Sequence, residues 1–237
     1  MHDEHGFTWL SLIPGLNVLP GHVTMAIGVG LILLATTSIA RMQLAQVMRG
    51  PGKGIVPEGK LSYRNFFELI AESLYKLTEN VIGHHDAPIY FPLIGTLFVF
   101  IFTSNLIGLV PGFIPSTQNL NTTFALGVFV FVYYNYAGFK AHGVSYLKHF
   151  MGPIWWLAPL LLVIELASHV FRPISLALRL RGNIMGDHVV LSIFSHLVPY
   201  LLPVVFYGLG VFVAFVQAFV FCLMTMVYIS LSTAHDH

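Results

Sequence analysis

The stretch RPISLALRLRGNIMGDH, residues 172–188, places three arginines, Arg172, Arg179 and Arg181, among residues that otherwise read as the interior of a lipid bilayer. The whole chain carries only 11 basic residues in 237 positions, so abundance does not explain them. Hydrophobic residues make up 56% of the sequence and charged residues 9%, too few charges to clothe a soluble domain of this length. Composition therefore predicts an all-α integral membrane protein, in which each helix satisfies its own backbone polar groups inside lipid. A formal net charge of +1 argues against a nucleic-acid partner. The single cysteine, Cys222, lies in an apolar run and cannot form an internal disulfide.

Outward from the quoted stretch run two long apolar segments, 155–181 and 189–231, joined around Gly182 to Asp187. A perpendicular crossing needs about 20 residues, so both are expected to be strongly tilted and to form a hairpin. Upstream, residues 21–40 form a first span, and Arg41 and Arg49 after it put residues 1–20 outside and the following segment in the cytoplasm. Residues 50–63, with Gly, Pro and Lys, read as a loop. Across 65–82, Phe66, Ile70, Leu74, Leu77 and Val81 recur at helical spacing while Glu68, Glu72, Lys76 and Glu79 occupy another face, the pattern of an amphipathic surface helix. Spans follow at 90–110 and 122–139, separated by an outer loop at 111–121 and ending at Lys140 and Lys148 on the inside. Five membrane segments place the C-terminus in the cytoplasm. No internal repeat is visible, so residues 1–237 read as one integral domain. The opening MHDEHGFTWL lacks the basic region of a signal peptide and the Arg-rich face of a transit peptide.

At 100° per residue from Glu165, His169 falls near about +40°, Arg172 near −20°, Arg179 near −40° and Ser168 near −60°. These form one polar stripe on an apolar rod, with Arg181 nearly opposite. Arg172 is two turns from Glu165 and within reach of it. Arg179 is four turns away, so its partner must come from elsewhere, because an arginine at membrane depth costs at least about 2.5 kcal/mol unless paired or hydrated. Pro173 removes a backbone donor and is expected to bend this helix near His169.

The segment RPISLALRLRGN, Arg172 to Asn183, resembles the signature of subunit a of F-type ATP synthases, the membrane stator beside a rotating ring of c subunits. NLIGLVPGF at 105–113, NLNTTFALG at 119–127 and QAFVFCLMTMVYISLS at 217–232 are similar to further parts of that family, so the likeness covers nearly all of the chain after residue 60. The resemblance implies that Arg179 is the essential arginine facing the ring's ion-binding carboxylate and that Gln217 stands near it on the last helix. It implies that Asn183, Glu165, Ser168 and Ser175 belong to aqueous half-channels, for which Asn119, His169 and His188 are further candidates. Tyr228 lies near the face of Gln217, at about +20°. Three positions depart from common members: Arg181 stands where Phe is frequent, Asp187-His188 where Gly-Glu is frequent, and Gly210 where a titratable residue is frequent. The implied partners are the c ring, met by residues 165–183 and 210–228, the b subunits of the peripheral stalk, and lipid. The implied location is a bacterial inner membrane.

Other functions are less consistent with the residues. Twelve histidines raise a haem or metal site, but no HExxH occurs, and the His84-His85 pair sits at a membrane edge, so no metal or cofactor is expected. A stand-alone secondary transporter would show duplicated halves. No Walker-type glycine loop is present, so ATP chemistry is expected on other subunits. The choice between proton and sodium resides mainly in the ring's carboxylate site, on another chain.

Overall fold

The computed structural model describes residues 20–48, 63–110, 112–143, 146, 158–197 and 202–233. In chain order it contains α1 (Gly21–Met48), α2 (Tyr63–Ile82), α3 (Ala87–Gly108), a 3-10 turn (Ser116–Gln118), α4 (Leu120–His142), α5 (Ala158–Leu197) and α6 (Leu202–Thr233). No strand occurs among the described residues, and α1 and α3 to α6 are all long and apolar enough to cross a membrane. The chain is thus an all-helical membrane protein with five candidate spans. The N-terminal segment 1–19 and most of the loop 50–63 lie outside the described residues.

One boundary differs from the sequence expectation. The junction expected at Gly182 to Asp187 does not exist: α5 continues through it for 40 residues, from Ala158 to Leu197. Two glycines cost a helix only about 1 kcal/mol each, whereas broken backbone hydrogen bonds inside hydrocarbon cost several. The helix therefore persists, and α6 begins instead at Leu202, with Pro203 in its first turn, where a missing donor is harmless. Pro173 lies inside this continuous helix.

The last two helices form an antiparallel hairpin with a constant register. Arg172 lies over Tyr228, Asn183 bonds Gln217, and Phe194 stacks on Phe206, each pair eleven residues from the next on both helices. Eleven residues are close to three turns, so the same two faces stay in contact along the hairpin. At about 1.5 Å per residue α5 is about 60 Å long, twice a hydrocarbon core, so a tilted course is required of it in lipid.

The core lies where α3, α4, α5 and α6 meet, built from Ile94, Phe98, Ile101, Val130, Tyr134, Leu180, Phe221 and Met226. The helix α2 turns Leu74 and Thr78 onto α3 and α6 and leaves Glu72 and Lys76 in an exposed ion pair of 2.6 Å. Its hydrogen bond to Lys76 holds the Glu72 carboxyl below the ordinary range. In contrast, α1 is peripheral and exposes Leu31, Leu34 and Met42.

Candidate functional site

The site is set by how closely α4 approaches α5. A Cβ built on Gly127 would sit 2.6 Å from the Pro173 carbonyl oxygen, so only glycine lets the two backbones meet there. That contact fixes the height and rotation of α5, whose inward face is His169, Pro173, Leu176, Ala177, Leu180 and Ile184. The polar stripe read from sequence therefore straddles the edge of the core. His169 is buried at 6% exposure, Glu165, Arg172 and Arg179 are half-buried, and Ser168 and Ser175 are exposed on the outer flank.

Two polar groups result, at different heights on α5. In the first, Arg172 pairs with Glu165 at 3.5 Å, as their two-turn spacing allowed, and its guanidinium lies 5.3 Å from the centre of the Tyr228 ring. His169 Nε2 is 3.0 Å from Asn135 Oδ1, which also accepts a bond of 3.3 Å from the Tyr146 hydroxyl. The Tyr134 ring packs against both His169 and Tyr228. Every charged member of this group has its partner within the chain.

The second group surrounds Asn183, one turn above Arg179. Asn183 donates to Gln217 Oε1 across the hairpin. Gln217 is 2% exposed, and its Nε2 has no partner among the described residues. Beside this pair a cleft of about 420 Å³ opens between α5 and α6, lined by Gly182, Asn183, Gly186, Asp187, Phe212, Val213, Val216 and Gln217. Arg179 has no hydrogen bond or ion pair among the described residues. It lies on the outer flank of α5, four residues before Asn183 and hence on the same side of the helix. A half-buried guanidinium without a counter-charge among the described residues can receive a carboxylate from another molecule.

The remaining candidates fall elsewhere. Asn119 is the N-cap of α4, its side chain accepting from the Asn121 backbone N–H at 2.9 Å. His188 is half-buried but does not line the cleft. Gly210 packs on Leu109, the C-cap residue of α3: a Cβ there would lie 2.6 Å from Leu109 Cδ2. Sequence reasoning passed over Asn135, although a lone amide amid FVYYNYAGF at membrane depth signals an interhelical bond. It also missed a buried polar knot between α3 and the 3-10 turn, where Thr117 donates to Asn105 at 2.8 Å and Ser116 to Ser104 at 3.2 Å.

Comparison with known proteins places these features in context. The sequence profile of the family described as ATP synthase A chain matches residues 22–230. The chain is 46% identical over 232 residues to the ATP synthase subunit a of Bdellovibrio bacteriovorus, an alignment spanning 98% of this chain and 99% of that one. It is 51% identical over 182 residues to the ATP synthase subunit a of Geobacter sulfurreducens, covering 76% and 78% of the two chains. With ATP synthase subunit a 2 of Syntrophotalea carbinolica it shares 44% identity over 243 residues, 100% of this chain and 91% of the relative.

Proposed function

The chain belongs to the ATP synthase A chain family, and from that premise we propose how it works as the stator subunit of the synthase membrane sector: Arg179 and the cleft beside it couple ion flow to rotation of a c ring. The observation that carries this reading is the guanidinium of Arg179, left without a counter-charge among the described residues while Arg172 on the same helix is fully engaged. Burying a lone charge is costly, so the missing partner is a carboxylate on another subunit.

A ring carboxylate must be neutral to move through lipid, since an unpaired charge there is prohibitively expensive. Opposite the stator it must ionise. A guanidinium about 4 Å away favours the carboxylate by roughly 4 kcal/mol at an effective dielectric near 20, which is about three pKa units. Arg179 thus discharges the arriving proton and releases the site to the next carboxylate as the ring turns. Because arginine keeps its own proton at any working pH, it blocks a direct leak between the two half-channels. Ions cross only with rotation, driven by about 2.3 kcal/mol per charge for each 100 mV.

In this reading the hairpin α5–α6 faces the ring, the b subunits and lipid cover other surfaces, and ATP chemistry takes place on other subunits. The chain is an integral membrane protein of a bacterial inner membrane, with the N-terminus outside and the C-terminus cytoplasmic. The test is coupled ion flux in vesicles containing the reconstituted complex, with pH and sodium varied separately. Arg179→Ala is expected to abolish coupled flux while the complex still assembles. ATP-driven pumping retained in that variant would sink the reading.

A further inference from the structure

We propose that Arg181 binds the phosphate of an anionic phospholipid, at a site on the flank of α5 that faces away from α6, with the acyl chains lying along the outward sides of α4 and α5. At 100° per residue Arg181 projects about 180° around α5 from Arg172 and about 160° from Asn183, the two residues that meet Tyr228 and Gln217 on α6. It is turned about 160° from Arg179 as well, so a ring carboxylate facing Arg179 cannot serve both.

The guanidinium has no counter-charge within reach. Its Nε is buried without a hydrogen-bond partner among the described residues. Helices α3, α4 and α6 and the 3-10 turn contain no Asp or Glu. Glu165 on α5 is taken by Arg172, and Asp187 stands six residues on and about 120° around the helix. The acids of α2 lie on a helix that packs on α3 and α6. An arginine at membrane depth is paired or hydrated, and with no acid of the chain beside it the anion comes from outside.

The level of Arg181 suits a lipid headgroup. His169 meets Asn135 and Pro173 meets Gly127, so α4 runs back along α5. Continuing that antiparallel course brings the residues near 181 to the start of α4 and the 3-10 turn, which packs on α5. The turn joins two candidate spans and so marks their common end, where phosphates lie. Apolar side chains are ready for the tails beside it. Leu120 and Phe124, on the face of α4 that carries Gly127, are 38% and 45% exposed. Leu178 and Met185, one turn to either side of Arg181, are 54% and 48% exposed. A basic residue at the rim of an apolar flank is the pattern that selects anionic lipid, and the planar fork of a guanidinium matches two phosphate oxygens.

The experiment photolabels the whole complex, reconstituted in phosphatidylcholine bilayers, with a phosphatidylglycerol carrying a diazirine at the head of one acyl chain. Mass spectrometry of the digested chain locates the label, expected on residues 120–124 and 178–185. A phosphatidylcholine of the same design should label there about tenfold less, the scale of one charge-assisted hydrogen bond. Arg181→Phe, which installs the residue frequent at this position in the family, should lower the phosphatidylglycerol label about tenfold, and Arg181→Gln should do the same. Arg181→Lys should retain most of it. Equal labelling in wild type and Arg181→Phe overturns the proposal. So does a loss in Arg181→Lys as complete as in Arg181→Phe, which would mark shape and not charge, and so does displacement of the label by inorganic phosphate, which would mark a free-anion site. Capture of another subunit by benzoylphenylalanine placed at Phe124 would give the flank to a protein and overturn it too. The inference needs only the placement of the helices in lipid: Arg179→Ala flux reads the opposite side of α5, so this site and the stator reading can fail separately.

Discussion

Two arginines seven residues apart on α5 meet opposite circumstances. Arg172 has Glu165 at 3.5 Å and the Tyr228 ring beneath it, and the neighbouring His169 is tied to Asn135. Arg179 has neither carboxylate nor ring among the described residues, and the amide pair above it leaves one donor, Gln217 Nε2, unused. One half of the helix is electrostatically closed and the other open. A lone chain would gain nothing from the open half, since an uncompensated charge destabilises it. The difference separates a charge tied into the fold from one left without such ties among the described residues.

The largest effect expected within this comparison is on coupling. Arg179→Lys keeps the charge but replaces a permanently protonated fork with an ammonium whose pKa falls when desolvated, so it should lower coupled transport by about a hundredfold or more. Near-normal coupling in a flux assay would mean that any cation suffices there. Next in size, Gly127→Ala drives a methyl to within 2.6 Å of the Pro173 carbonyl oxygen, where backbone cannot yield as a side-chain tip could. It should cost about 2 kcal/mol as α4 is pushed off α5, visible as a lower thermal dissociation temperature of the purified complex. An unchanged temperature would show that the two helices can slide apart freely, and would blur the line between the closed and open halves.

The smallest effect is Arg172→Leu. The pair with Glu165 is partly exposed, and its loss together with the cation–π contact should cost about 1–2 kcal/mol of stability. Coupling per assembled complex should persist. If Arg172→Leu abolished coupling as completely as Arg179→Lys while stability held, the distinction between the two arginines would collapse.

Part of the site was legible in the amino-acid sequence. The stripe from Glu165 to Arg179 follows from helical periodicity, and the Glu165–Arg172 pair from its two-turn spacing. The Asn183–Gln217 bond was not legible as a contact: it joins residues 34 apart, and the resemblance implied only that Gln217 stands near the arginine and that Asn183 belongs to a half-channel. Asp187 stood out as a departure from the family pattern and not as part of a cleft, because the junction expected at Gly182 to Asp187 would have put it in a turn. Once α5 is continuous, Asp187 joins the face of Asn183. Asn119 was legible only as a candidate for the aqueous path; its side chain also caps α4, a role that depends on where the helix begins.

The sequence by itself determined the solvent this chain is built for, the number of its crossings, and the residues that carry charge into the membrane, because hydrophobicity and helical period are properties of neighbours along the chain. Only the tertiary structure decided which arginine is spent inside the molecule and which is left open. That outcome depends on the register of the α5–α6 hairpin and on the closeness of Gly127 to Pro173, and contacts between distant segments are fixed by packing, which no local pattern encodes.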